Sequence, residues 1–474
     1  MVVYRPCSFS MFDETNHIGY NKQQDIERRG QIMQIQLPEK VQYIIHALEE
    51  AGYEAYAVGG CVRDSLLGRE PDDWDITTSA RPLEVKAVFP RTIDTGIQHG
   101  TVTVMLGREG FEVTTYRIDG EYEDSRHPKE VIFTANLIED LKRRDFTINA
   151  FAYNDRSGIV DAFDGMKDLA DGVIRCVGEA TERFTEDALR MMRAVRFSAQ
   201  LGFGIEDNTK AAIKQLAPNL SHISAERIQT ELVKLLKSAH PDYIREAYHL
   251  GMTRVFLPEL DVAFETTQNN PHHCYTVGEH LMHCMLNTPP DKGMRIAALL
   301  HDIGKPATKT TDGQGIDHFH GHAVVGEEMA AKILRRLKFD NDTITYVRKL
   351  VKYHDYPIET TPRAVRRAIH AIGEPYFADV LLFKHADMLA QSHYQRQEKE
   401  AHLAQVEVLY QEILDKKQCV SLKELALTGN DLIALGIPKG REIGKILNEL
   451  LEEVIATPEH NTKEYLTQLV KNHA

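Results

Sequence analysis

The sequence predicts a mixed α/β amino-terminal domain followed by mostly α-helical domains. Strand-like and helix-like segments alternate from residue 53 to 163, whereas a period near 3.6 dominates from about 179 to 260 and from 323 to the end. Between those helical runs, residues 272–322 hold eight histidines. At roughly 150 residues per domain, 474 residues suggest about three domains.

Residues 1–32 are polar and aperiodic, and read as a disordered leader or as the product of an upstream start codon. Pro38 then opens a helix with Val41, Ile44, Ile45 and Leu48 on one face. Tyr56, Ala57 and Val58 form a short buried strand that runs into Gly59-Gly60. Further strands are expected over 74–77, 101–106 and 111–117, with a polar loop over 118–128. Long helices are expected over 187–201 and 224–237.

Composition excludes several classes. No stretch approaches the roughly 18 apolar residues of a membrane span, so no membrane partner is expected. The six cysteines form no CxxC pair and read as reduced thiols of a cytoplasmic protein. A net charge of −14 argues against a simple nucleic-acid coat. Basic residues nonetheless cluster locally at Lys142-Arg143-Arg144, at Arg190, Arg193 and Arg196, and at Arg363, Arg366 and Arg367, so a local phosphate-holding groove remains compatible.

Four segments carry chemistry. In Gly59-Gly60-Cys61-Val62-Arg63-Asp64, glycines after a strand let the backbone approach a phosphate, and Arg63 adds a charged fork; alone, such a pair more often marks a tight turn. Asp73 and Asp75, at i and i+2 of an expected strand, project from one face, where divalent cations would relieve their repulsion; solvated acids on an edge strand are the plain alternative. Arg143-Arg144 suits a triphosphate, and Asp145 would cap a helix starting near Thr147; a surface basic cluster is the alternative. On the expected helix Asp187 and Arg190 are i, i+3 neighbours, with Arg193 and Arg196 extending the stripe. A surface ion pair would explain two such residues. A carboxylate that accepts and a guanidinium that donates also match the edge common to cytosine and adenine, and mismatch uracil and guanine.

These segments, in this order, resemble the bacterial class II tRNA nucleotidyltransferase (CCA-adding) and poly(A) polymerase family over roughly residues 33–240. The resemblance implies a polymerase-β-like nucleotidyltransferase head followed by mostly α-helical RNA-binding domains. It implies addition of C, C and A to the 3′ end of tRNA from CTP and ATP. Asp73 and Asp75 would be catalytic Mg²⁺ ligands. Gly60, Arg63 and Arg144 would bind the triphosphate, and Asp187, Arg190, Arg193 and Arg196 the incoming nucleotide. Residues 118–128 resemble the flexible loop that switches specificity from C to A. Glu226, Arg227 and Glu231 resemble a structural neck motif, and Glu112 would be a third metal carboxylate.

Behind this lies a second constellation. His301-Asp302 follows an apolar helical run, with His280, His322, His354 and Asp387 around it in sequence; imidazole and carboxylate together suit Mn, Fe, Ni, Co or Zn. A lone histidine is usually an ordinary core or surface residue, but six such residues in this order resemble the HD superfamily of metal-dependent phosphohydrolases over roughly 270–395. That resemblance implies a two-metal site in which Lys305 would hold a substrate phosphate. It gives His272, His273, His283, His318 and His320 no place.

The organisation expected is a leader over 1–32, a nucleotidyltransferase head over 33–165, a helical base-selecting neck over 166–265, an HD domain over 266–395 and a helical tail over 396–474. The sequence sets no oligomeric state. Open alternatives are a poly(A) polymerase, an enzyme adding only CC or only A, an HD phosphohydrolase with an inactive head, and a non-catalytic RNA-binding module.

Overall fold

The computed structural model describes residues 34–120 and 131–473, so the 1–32 leader and most of the 118–128 loop lie outside the described residues. The described chain divides after Pro258 into two compact units.

The first unit is built on a seven-stranded sheet of order β3-β4-β5-β2-β1-β8-β9. Its strands are β1 (Ala55–Val58), β2 (Ile76–Thr78), β3 (Thr92–Gly96), β4 (Thr101–Leu106), β5 (Glu109–Thr115), β8 (Phe151–Asn154) and β9 (Gly158–Asp161). Between them in sequence, β6 (Arg117–Asp119) and β7 (Val131–Phe133) form a separate ribbon where a loop was expected to begin. Only β2 and β5 pair in parallel, with Ile76 opposite Val113; the other pairings in the sheet are antiparallel. The helix Glu39–Glu50 buries Val41, Ile44, Ile45 and Leu48, the face its spacing predicts. Helices Ala180–Glu186, Leu189–Leu201, Asp207–Leu216 and Ala225–Leu236 follow, and Leu189–Leu201 packs against Ala225–Leu236.

The second unit is helical apart from a two-stranded pairing of Thr310–Thr311 with Asp317–His318. Helices Val277–Leu286, Lys292–Leu300, His322–Arg336, Asn341–Tyr353 and Glu374–Ala390 bring together the residues discussed below. Farther along, Arg441–Ala456 and Lys463–His473 close a separate apolar cluster around Leu432, Leu450, Val454 and Leu466. Among the described residues no helix is long and apolar enough to cross a membrane.

Candidate functional site

The first site lies at one end of β1. Beyond Val58 the chain turns at Gly59 into the helix Gly60–Leu66. Gly59 has φ +84°, and a Cβ there would lie 2.8 Å from Arg144 Nη1, so the turn needs glycine on two counts. The guanidinium of Arg144 thus closes over the glycine pair; its Nε is buried without a hydrogen-bond partner. Asp140 anchors Arg143 at 2.9 Å and Arg144 at 3.7 Å. That carboxylate is fully buried and also accepts from Thr77 Oγ1 at 3.1 Å. Sequence reading missed Asp140, although its i, i+3 and i, i+4 spacing to two arginines was the available signal.

Asp73 and Asp75 do not lie on a strand, as was expected; they occupy the extended segment entering β2, which begins at Ile76. The Asp75 carbonyl still accepts from Val58 N at 3.0 Å, which fixes the segment beside β1. Both carboxylates are solvent-accessible and line a cleft of about 740 Å³ with Trp74, Phe111 and Glu112. Shielding from water at the cleft floor raises the Asp75 pKa, the charges of Asp73 and Glu112 raise it further, and Arg144 opposes them. Among the described residues neither aspartate has an ion-pair partner, so adjacent negative charges face open space, as a divalent cation requires.

The arginines form a connected network. Arg63 is buried and donates to Asn149 Oδ1 at 2.6 Å and to Asp64 at 2.8 and 3.0 Å. Arg193 donates to Asp145 at 2.7 Å, and Asn149 donates to the same carboxylate at 3.0 Å. Burial alone would raise the Asp145 pKa, but Arg193, Asn149 and Arg190 bring it down to about 2. Asp145 precedes a short 3₁₀ turn, Thr147–Asn149, rather than capping an α-helix. The guanidiniums of Arg63, Arg193 and Arg196 lie 4.9, 5.3 and 3.8 Å from the Phe197 ring. Arg196 is buried and pairs with Glu231, which ties the stripe to the expected neck residue.

Asp187 and Arg190 are not the helical pair expected. Asp187 ends the helix Ala180–Glu186 with φ −141° and ψ 104°, and its carboxylate accepts from Arg227 at 2.7 Å. Arg190 pairs instead with Glu186 at 2.5 Å and donates to the Arg143 carbonyl at 3.1 Å. The break between two helices turns Asp187 out of register with the next one, so i, i+3 geometry does not apply.

In the second unit His280, His301, Asp302, His322, His354 and Asp387 do converge. His301 and His354 cap the helices Lys292–Leu300 and Asn341–Tyr353, and His322 opens the helix His322–Arg336. A Cβ on Gly304 would lie 2.3 Å from the His322 carbonyl, so glycine is what lets this helix approach the His301-Asp302 turn. Asp302 sits between two histidine pairs: Oδ2 is 3.4 Å from His280 Nε2 and 3.4 Å from His301 Nε2, and Oδ1 is 3.4 and 3.5 Å from those of His322 and His354. Asp387 lies 2.8 Å from His280 Nε2. Each Nδ1 faces a backbone carbonyl: Ala390 at 3.3 Å, Ala298 at 3.0 Å, Phe319 at 2.8 Å and Val351 at 2.7 Å. Those bonds place the proton on Nδ1 and leave each Nε2 lone pair facing inward. His280 and His301 Nε2 then meet at 3.2 Å, as do His322 and His354 Nε2, which is repulsive unless a cation lies between. Asp302 Oδ1 is buried without a hydrogen bond. Two overlapping groups, each spanning at most 4.8 Å and sharing Asp302, could therefore hold metal. Despite burial, which raises it, the charge of Lys305 holds the Asp302 carboxyl well below the usual range. Lys305 donates to Asp302 at 2.7 Å and to Gln268 at 2.8 Å. His273 and His320, which the sequence pattern left without a place, line the same cavity of about 280 Å³.

Comparison with known proteins places both units. The Poly A polymerase head domain matches residues 55–175, the probable RNA and SrmB-binding site of polymerase A matches 202–264, and the putative tRNA nucleotidyltransferase domain 2 matches 313–470. A CCA-adding enzyme of Leuconostoc mesenteroides is 56% identical over 204 residues, 42% of this chain and 51% of that protein, so this alignment spans about half the relative's length. The CCA-adding enzyme of Lactobacillus helveticus is 35% identical over 91% of this chain and 96% of its own. The chain belongs to the CCA-adding enzyme family. Among solved structures, the Bacillus stearothermophilus CCA-adding enzyme in complex with CTP superposes with a TM-score of 0.68 at 30% identity, covering 91% of this chain and 96% of that one. The Thermotoga maritima CCA-adding enzyme complexed with tRNA shares the fold, with a TM-score of 0.55 at 21% identity. As a member of the CCA-adding family, the chain is a nucleotidyltransferase with a polymerase-β-like head and a mostly helical remainder.

Proposed function

We propose that this chain adds C, C and A without a nucleic-acid template to the 3′ end of tRNA, using CTP and ATP and releasing pyrophosphate. The observation that carries the reading is the open cleft lined by Asp73 and Asp75, which are in no ion pair among the described residues, with the Arg144 guanidinium, packed over Gly59, near enough for its charge to act on Asp75. Asp73 and Asp75 would hold divalent metal, in our reading Mg²⁺, which when bound supplies activation of the 3′-hydroxyl and neutralises charge on the leaving pyrophosphate. Glu112 would assist as a third carboxylate from β5. Arg144 and the Gly60 backbone receive the triphosphate. Arg63 and Arg196, tied to internal partners, keep the phosphate-side and base-side segments in register, and Arg193 does so through Asp145.

Asp187 and Arg190 would read the base. Two of the roughly four acceptor sites on the Asp187 carboxylate are used by Leu189 N and Arg227, which leaves sites for an exocyclic amino group. Arg190 would exchange a donor now given to Glu186 for the ring nitrogen. The free cysteines and the absence of a spanning helix among the described residues favour the cytoplasm as the place of work. The deciding assay supplies tRNA lacking its last three nucleotides with each labelled NTP. Incorporation of two C residues and then one A is expected; runs of A, or addition stopping at CC, would overturn the reading.

A second reading is favoured by the four Nδ1-anchored histidines. We propose that His280, His301, Asp302, His322, His354 and Asp387 bind two transition-metal ions (Mn, Ni, Co, Fe or Zn) and that this centre hydrolyses a phosphoester. Neutral imidazoles and buried carboxylates are the donor set such ions select. Metal content of the purified protein after exchange against each ion tests it, and no uptake of any of them would reduce the cluster to scaffold.

A further inference from the structure

The histidine–aspartate cavity has an annex. A second cavity, of about 590 Å³, shares His273, His354, Asp355, Asp387 and Gln391 with it along their common wall. Beyond that wall the annex is bounded by Lys384 and Lys399, with Met388 and Leu403 as apolar surface. Lys384 stands three residues before Asp387 on the helix Glu374–Ala390, so the two share a face. Lys399 comes from the helix Arg396–Asp415 and donates to two neutral acceptors, Gln391 Oε1 at 2.7 Å and His272 Nδ1 at 3.0 Å. Asp355 and Glu398 line the same space, and the charges of Asp355 and Asp387 act on Lys384 and that of Asp387 on Lys399, yet among the described residues neither lysine is in a contact ion pair. Enclosure lowers the pKa of both lysines. A part-buried ammonium with no carboxylate in contact is incompletely compensated, and a bound anion would complete the pairing.

We propose that the annex is a second anion subsite, so that this centre takes a phosphoester carrying another phosphate on the same molecule, of the nucleoside bisphosphate class. The inference rests on reading the cluster as a hydrolytic metal centre. In the reaction, water adds its oxygen to phosphorus as the ester P–O bond breaks; inorganic phosphate leaves, and the departing alkoxide takes a proton from that water to become the alcohol. The second phosphate stays bound by Lys384 and Lys399 and does not react.

The test uses the full-length protein with adenosine 3′,5′-bisphosphate and adenosine 3′-monophosphate. Manganese-loaded protein should show a KM about tenfold lower for the bisphosphate, and calorimetry on the metal-free protein should show a similar preference in Kd. Lys384→Met and Lys399→Met should erase both preferences, with monophosphate kinetics, metal content and CCA addition unchanged. Equal KM and Kd for the two nucleotides in the unaltered protein, or variants that weaken both ligands alike, would overturn the subsite. Failure of the metal reading looks different: manganese is not taken up and neither ester is cleaved, but the lysine-dependent difference in Kd persists and still supports the subsite.

Discussion

The transferase cleft and the histidine–aspartate cavity both gather acidic residues, and they treat them oppositely. Asp73 and Asp75 sit on a segment in contact with solvent, and Arg144, the cation whose charge acts on Asp75, is paired with Asp140. Asp302 is 1% exposed and His301 is 0% exposed, and apart from Asp302, which lies in the turn after His301, the cluster residues project from helices or their caps. The open site suits a hard cation that keeps part of its water and arrives with a triphosphate. The closed one suits a resident ion that replaces its water with imidazole. In the reading proposed above, one chain combines a metal site assembled with substrate and one assembled with the fold.

The largest expected effect breaks the comparison on its open side. Asp73→Ala or Asp75→Ala should lower CCA addition by about a thousandfold or more, since metal-borne charge stabilisation is worth several kcal/mol. tRNA binding by filter retention and metal content of the second unit should not change. Near-normal incorporation by either variant would remove these carboxylates from the chemistry.

On the closed side, Asp302→Asn deletes the one carboxylate common to both ligand groups. Affinity for both ions should fall by at least about a hundredfold, more than removal of an outer-shell partner costs. His354→Ala should weaken only one of the two ions. Mass spectrometry of the metal-loaded protein under native conditions counts them. Equal loss of both ions in His354→Ala would overturn its assignment to one of two separate sites, and CCA addition serves as the control that should stay constant.

These contrasts also explain what the sequence made legible. The glycine pair, the Asp-x-Asp and the adjacent His301-Asp302 could be read because each is a local pattern with a fixed spacing. The helix Glu39–Glu50 and strands β1 and β4 followed from periodicity. Partner choice did not follow. Asp187 finds Arg227 forty residues away, and Arg196 finds Glu231 thirty-five residues away, because the packing of Leu189–Leu201 on Ala225–Leu236 decides it. His273 enters the histidine–aspartate cavity from a loop and meets Lys305 there, a contact at 3.3 Å that no spacing encodes.

Base selection should move by less than catalysis. Replacing Asp187 or Arg190 by Ala should cost about 1–3 kcal/mol of discrimination against UTP and GTP, roughly ten- to a hundredfold. Arg227→Ala should share part of the effect, because it removes the Asp187 partner seen here. Single-nucleotide incorporation with all four NTPs measures it. Strict preference for C and A at reduced rate in both Asp187→Ala and Arg190→Ala would make this pair structural.

The smallest effect tests whether the arginine network of the transferase unit contributes to folding. Asp145 is held at a pKa of about 2 by Arg193, Asn149 and Arg190 against the cost of its burial. An unfolded aspartate titrates near 3.9. Because the folded value is the lower one, the stabilisation is fully present above about pH 4 and is lost as pH falls through about 2. The Arg193 side chain is 34% exposed, so solvent screens part of the attraction, and about 1–2 kcal/mol is a fair expectation. Asp145→Asn removes the titration while keeping the shape of the side chain. Trp74, the single tryptophan of the chain, lies in this unit, so its fluorescence follows the unfolding of this unit specifically. Denaturant titrations at pH 2, 3, 4 and 5 should show the variant destabilised above pH 4 and converging with the unaltered protein toward pH 2. Curves that differ by the same amount at every pH across that range would mean that the Asp145 charge adds nothing to the stability of the fold.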